Sequence, residues 1–170
     1  MDVQLLTRQL QERSRKISLL LLDVDGVLTD GRLYLGPAGE ELKVFHVRDG
    51  YGIKLWHDAG FRSGIISGRN SDLVSRRASK LGMHFVYQGN DDKLAALAEI
   101  LAESHVSTDE VAFVGDDSLD VPLFEKVGLA VAVADAHKSA TQAAHYVTKI
   151  KGGRGAVREV IDMLLAHKAE

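Results

Sequence analysis

Four consecutive leucines, Leu19 to Leu22, stand behind Ile17 and run directly into Asp23-Val24-Asp25-Gly26. An uninterrupted apolar run of this length reads as a strand buried on both faces, the kind found in a parallel sheet covered by helices. The strand delivers two carboxylates, one residue apart, into a turn that Gly26 permits. Residues i and i+2 point the same way along an extended segment, but here the strand is ending, so the second carboxylate is free to swing clear of the first. Two like charges this close need a cation to hold them, and a hard divalent ion such as Mg²⁺ suits oxygen ligands. A solvated acidic turn would carry the same residues, so the downstream sequence has to decide between them.

That sequence alternates strand and helix signals. Residues 3–15 predict a surface helix, with Val3, Leu6 and Leu10 as its apolar positions, and strand one covers 17–22. Arg32 to Gly36 and Leu42 to Val47 alternate apolar and polar side chains around the turn Pro37-Ala38-Gly39-Glu40, which predicts a β-hairpin over 32–47. Asp49 is the expected cap of a helix ending at Gly60, and Phe61 to Ile66 is strand two. A helix from Asn70 or Ser71 stops at Gly82, and His84 to Tyr87 is strand three. Asp91 or Asp92 caps an Ala- and Leu-rich helix running to about Glu103. Val111 to Val114 is strand four, a helix covers about Leu119 to Val127, and Leu129 to Val133 is strand five. A last helix follows Gly152-Gly153-Arg154-Gly155 and runs to about Ala166. The pattern predicts an α/β fold, a three-layer Rossmann-like parallel sheet with helices on both faces and a projecting hairpin.

At 170 residues the chain fits a single domain, 1–170, with a sizeable core. The net charge of −3 and the absence of a long basic run argue against nucleic acid or an anionic membrane as a partner. With no cysteine, disulfides and thiolate catalysis are excluded, and the seven histidines lack zinc-type spacing. The first apolar run is too short to span a bilayer, and residues 1–16 carry four basic side chains without a signal-peptide core. A cytoplasmic location is expected.

In an open parallel sheet, ligands bind beyond the carboxyl ends of the strands. Strand one ends there in Asp23 and Asp25, strand two in Ser67-Gly68-Arg69, and strand four in Asp116-Asp117 with Asp120 just beyond. Lys93 opens the helix after strand three. Each side chain has a place in phosphoryl transfer. Asp23 suits the nucleophile and Asp25 the general acid and base. The Ser67 hydroxyl and nearby backbone N–H groups would bind phosphate oxygens, and Lys93 would neutralise charge on nucleophile and phosphoryl group. Asp23, the backbone carbonyl of Asp25, and Asp116 would hold Mg²⁺, with Asp117 or Asp120 orienting that site from behind. Taken singly, each is also an ordinary cap, turn or surface lysine, and Arg77 an ordinary solvated helix residue.

Taken in order, Asp23-Val24-Asp25-Gly26-Val27, Ser67, Lys93 and Gly115-Asp116-Asp117-Ser118-Leu119-Asp120 resemble the four motifs of the haloacid dehalogenase superfamily. The likeness is closer to its phosphatases of 3-deoxy-D-manno-octulosonate 8-phosphate, over about residues 17–163. Asp23 to Gly31, Phe45 to Gly50, Ile66 to Arg69, Val131 to Ala136 and Gly152 to Ala156 carry it. The resemblance implies a phosphorylated sugar acid as substrate, a part in lipopolysaccharide synthesis and a homotetramer. It matches His46, Val47, Arg48, Asp49, Gly50, Lys54, Arg69 and Arg77 to substrate-contact positions. Arg154, among its glycines, is expected to reach an active site.

Members of this superfamily usually carry a cap domain at one of two insertion points. The stretch from Asp25 to Ser67 is consumed by a hairpin and a helix, and that from Ser67 to Lys93 by one helix and one strand. Neither leaves room for a cap, so either the substrate is a macromolecule or a neighbouring subunit supplies the lid of the open site, and the resemblance favours the second, in a homotetramer. Beside this reading, and beside a catalytically weak interaction domain that keeps the motifs, stand two rivals. One is a phosphatase of a nine-carbon sugar acid 9-phosphate. The other is a phospho-accepting receiver module, which would need its accepting Asp at the end of strand three, where this chain has Tyr87-Gln88-Gly89.

Overall fold

The computed structural model describes residues 3–169; the side chains of Val3 and Leu6, two of the expected apolar positions of the first helix, lie outside the described residues. Helix α1 (Val3–Lys16) leads into β1 (Leu19–Leu22), the hairpin strands β2 (Tyr34–Leu35) and β3 (Glu41–Leu42), and α2 (Val47–Asp58). Then come β4 (Arg62–Ser67), α3 (Asp72–Leu81), β5 (Phe85–Gln88), α4 (Lys93–Ser104) and β6 (Val111–Gly115). The chain continues through α5 (Val121–Phe124), β7 (Leu129–Ala132), α6 (Lys138–Ala143), β8 (Tyr146–Val147) and α7 (Ala156–Ala169). The main sheet is wholly parallel, in the order β5-β4-β1-β6-β7-β8.

The leucine run explains the layering. Leu20 and Leu22 face one core with Trp56, Val74, Ala78, Val157 and Ile161, so α2, α3 and α7 cover that side. Leu19 and Leu21 face the other core with Leu97, Ile100, Leu123 and Phe124, beneath α4 and α5. All four leucines are fully buried, each contributing about 1.5–3 kcal/mol of transfer free energy. A strand with apolar residues at every position can occupy only such a sandwiched, central place. Register then builds the site. Leu22 pairs with Ile65 on one side and with Val114 on the other. Continued by two residues, that register brings Ser67 and Asp116 level with the Asp23–Asp25 turn.

Several boundaries differ from the sequence reading. The hairpin strands are two residues each, and Val47 opens α2 and is not part of the hairpin. His46, not Asp49, caps α2: its Nδ1 accepts the Arg48 N–H at 3.3 Å. The segment expected as one helix from Leu119 to Val127 is a 3-10 turn, Ser118–Asp120, followed by the four residues of α5. Pro122 lacks the N–H that a longer helix would use and is tolerated only in the first turn. The elements α6 and β8 were not expected at all.

Candidate active site

Past the carboxyl ends of β1, β4 and β6 lies a cleft of about 190 Å³ lined by Asp23, Asp25, Ser67, Arg69, Lys93 and Asp116, with Asp117 and Asp120 among its other residues. A larger cavity, about 640 Å³, opens at the opposite strand ends around Arg13, Asp109 and Gly128, and holds none of these groups.

Lys93, the first residue of α4, is the centre of the cleft's charge. Its Nζ lies 2.9 Å from Asp23 Oδ1 and 2.6 Å from Asp120 Oδ1. Burial opposes the ammonium charge, but the two carboxylates outweigh it and hold Lys93 above its ordinary range. Asp120 is buried, and its other oxygen accepts the backbone N–H groups of Asp116 (2.8 Å) and Asp117 (3.2 Å). One side chain thus fixes both the lysine and the turn that presents Asp116. Asp117 accepts the Ser118 N–H at 2.6 Å and caps the 3-10 turn, so it shapes the loop from outside. Ser67 is buried at the end of β4 and faces the cleft.

Asp116 is the unbalanced member. Oxygens of Asp23, Asp116 and Asp120 lie within 4.8 Å of one another, with one lysine among them. Burial pushes the Asp116 carboxyl up to about 8, and the charges of Asp23, Asp120 and Asp117 add to it against Lys93. Burial likewise raises Asp23 to about 6, with Lys93 opposing and Asp120 adding. Three carboxylates against one ammonium leave two negative charges to cancel, which fits a divalent cation with oxygen ligands. Gly26 makes room: its φ of 98° suits glycine, and a β-carbon there would overlap the Asp116 carboxylate.

Asp25 is held apart from this chain of charges. It pairs with Lys43, just past β3, while Arg69 Nη1 stands 3.9 Å from its second oxygen. Glu41 joins the group, 3.5 Å from Lys43 Nζ and 3.1 Å from Arg69 Nη2. Sequence reasoning missed Lys43 and Glu41, because nothing local shows that the hairpin folds back onto the Asp25 turn. The alternation of the strands was the only available signal, and it did not give that direction.

The remaining expected residues form a second group. Arg77 lies over the Phe45 ring at 5.7 Å and packs against the α-carbon of buried Gly50. Val47, Arg48 and Lys54 are exposed on α2, and half-buried His46 caps it. The Asp49 side chain turns inward and accepts the Arg158 N–H of α7 at 2.9 Å, so it caps the last helix instead of its own. Burial raises its carboxyl, opposed by the N–H groups of that helix start. Arg154 Nη2 lies 3.4 Å from Asp30 Oδ2, with its side chain 61% exposed. The glycines around it pack on the Asp25 turn: Gly153 N–H donates to the Val27 carbonyl at 2.9 Å.

A model of the haloacid dehalogenase-like hydrolases matches residues 45–161. The chain belongs to this family. It is 52% identical over 154 residues to the 3-deoxy-D-manno-octulosonate 8-phosphate phosphatase KdsC of Yersinia pestis, spanning 91% of this chain and 82% of that protein. The crystal structure of the phosphatase from Yersinia pestis superposes with a TM-score of 0.93 at 50% identity, covering 95% of this chain and 87% of that one. A third relative is the 3-deoxy-D-manno-octulosonate 8-phosphate phosphatase of Moraxella catarrhalis, solved with magnesium, phosphate and the sugar acid. It gives a TM-score of 0.93 at 34% identity, over 95% of this chain and 93% of that one. The family match begins after the Asp23–Asp25 turn, so that motif stands on the geometry and on these longer likenesses.

Proposed function

We propose that the chain is a Mg²⁺-dependent phosphatase that hydrolyses 3-deoxy-D-manno-octulosonate 8-phosphate to the free sugar acid and phosphate, in lipopolysaccharide synthesis in the cytoplasm. The observation that carries the chemistry is Lys93 bridging Asp23 and Asp120 beside the uncompensated Asp116. The likeness to phosphatases of this sugar acid supports the substrate.

Asp23 attacks phosphorus, and the bond from phosphorus to the sugar oxygen breaks as Asp25 gives that oxygen a proton. Water then attacks the aspartyl-phosphate, Asp25 takes its proton, and the bond from phosphorus to Asp23 breaks. Lys93 and the Ser67 hydroxyl bind phosphoryl oxygens. Asp23, the Asp25 carbonyl and Asp116 hold Mg²⁺, which neutralises charge on the transferring group when bound. Arg48, Lys54, Arg69 and Arg77 meet the substrate's carboxylate and hydroxyls. The hairpin's exposed Leu35 and Leu42, 67% and 66% accessible, support a homotetramer in which hairpins from neighbours wall each open site.

Phosphate release from 3-deoxy-D-manno-octulosonate 8-phosphate tests this, with Mg²⁺ or with chelator, against a nine-carbon sugar acid 9-phosphate. Faster Mg²⁺-dependent turnover of the eight-carbon substrate is expected. Accumulation of stable phosphoprotein from a small phosphodonor, without turnover of either sugar, would mean a receiver-like switch instead.

A further inference from the structure

The hairpin reaches the chemistry through Lys43. This lysine follows β3, and its side chain is only 3% exposed. A buried ammonium is costly unless paired and hydrogen-bonded. Lys43 meets that cost through Asp25 and, at 3.5 Å, Glu41. Arg69, after β4, closes the ring by touching Asp25 and Glu41 from the other side. Asp25 therefore has one close ion pair, with Lys43, and a second cation, Arg69, 3.9 Å away. Neither Lys93 nor Asp120 touches it among the described residues. Lys43 is not among the residues lining the cleft, whereas Asp25, its ion-pair partner, is.

We infer that Lys43 is a positioning residue for the acid–base carboxylate: through its ion pair with Asp25, the seating of the hairpin fixes where the proton is delivered. The inference rests on the proposed role of Asp25. It also gives the hairpin a function within its own subunit, separate from any contact with a neighbour. A proton donor displaced by about an ångström loses much of its effect, since proton transfer needs hydrogen-bond reach to the leaving oxygen.

The test is single-turnover phosphoenzyme formation with Mg²⁺, using 4-nitrophenyl phosphate and phenyl phosphate. The nitrophenolate leaves with little protonation, whereas phenolate needs a proton. Lys43→Met should slow the phenyl ester by roughly 10- to 100-fold and the nitrophenyl ester by less than about threefold, part of the range that acid catalysis supplies. Lys43→Arg should restore most of the rate. In an Asp25→Asn background, replacing Lys43 should cost nothing further, because the pair acts as one unit. That double variant buries no unpaired charge, so it and Lys43→Arg keep the comparison usable if Lys43→Met does not fold. Equal slowing of both esters, or additive losses in the double variant, would overturn the role of Lys43. Wild-type rates for Asp25→Asn alone would instead overturn the role of Asp25.

Discussion

Gly152 lies with its α-carbon against the carbonyl of Gly26, so close that a β-carbon would overlap the oxygen. The loop before α7 is thus packed onto the turn that carries Asp25. Gly152 N–H also donates to Asp135 at 3.0 Å, and Gly153 N–H to Val27, so the loop cannot shift freely to relieve a clash. Gly152→Ala should cost about 1–3 kcal/mol as an overpacked contact, lowering the melting temperature by several degrees. It should also raise the Mg²⁺ concentration for half-maximal activity, because the carbonyl of Asp25 adjoins the displaced peptide. A lower melting temperature with an unchanged Mg²⁺ requirement would mean that the loop supports the fold alone.

The parts of this site that the sequence revealed are those fixed by strand ends. The Leu19–Leu22 run identifies the central strand, and Asp23, Ser67 and Asp116 follow from the ends of β1, β4 and β6. Lys93 follows from a helix start. What stayed hidden depends on contacts between distant segments. Asp49 looks like a cap for its own helix, yet it caps α7, over a hundred residues away, and only the packing of α2 on α7 makes that possible. The pairing of Lys43 with Asp25 needs the hairpin's direction. Strand β8 has only two residues, and the six of α6 bury Ala140 alone, so neither shows an apolar period long enough to read.

The carboxylate cluster predicts how stability varies with pH when no metal is bound. Below 3.8, the ordinary carboxyl value, folded and unfolded chains both hold the Asp116 proton and the group costs nothing. Between there and about 8 the folded chain keeps the proton and the unfolded chain has lost it, so each rise in pH destabilises the fold. Asp23 adds the same sign up to about 6. In chelator, the denaturation midpoint of wild type should therefore fall from acid to mildly alkaline pH more steeply than that of Asp116→Asn. Adding Mg²⁺ should remove most of the difference by stabilising the charged wild-type site. Parallel curves for the two proteins would show that Asp116 is not the titrating group.

Arg69 predicts a split between substrates. Its side chain is half exposed at the mouth of the cleft and already holds the Glu41 carboxylate at 3.1 Å, so it is built to accept an anion. A sugar-acid carboxylate arriving there would exchange with Glu41. Arg69→Ala should raise KM for 3-deoxy-D-manno-octulosonate 8-phosphate by roughly 10-fold or more, the usual cost of a lost charge-assisted pair. For 4-nitrophenyl phosphate, which has no carboxylate, KM should change far less. Equal increases for both would place Arg69 on the phosphate.

The hairpin's surface predicts the assembly. Leu33, Leu35, Leu42 and Val44 are all exposed, while Phe45, at the hairpin's base, packs against the core beneath Arg77. A two-stranded ribbon of two residues per strand is marginal in water and needs a partner surface. In the β2–β3 register Tyr34 stands opposite Leu42 and Leu35 opposite Glu41, so Leu42 lies on the face away from Glu41, while Leu35 shares the Glu41 face and is still 67% exposed. Replacing Leu35 and Val44 with Asp should split the proposed oligomer into smaller species by light scattering, because a charge at each position cannot be buried against a neighbour. The KM for the sugar acid should rise as the neighbouring wall is lost. The internal contact of Lys43 with Asp25 should survive, so the turnover of 4-nitrophenyl phosphate should fall much less. Wild-type protein running as a fully active monomer at micromolar concentration would remove the need for the wall, and the exposed leucines would then require another partner.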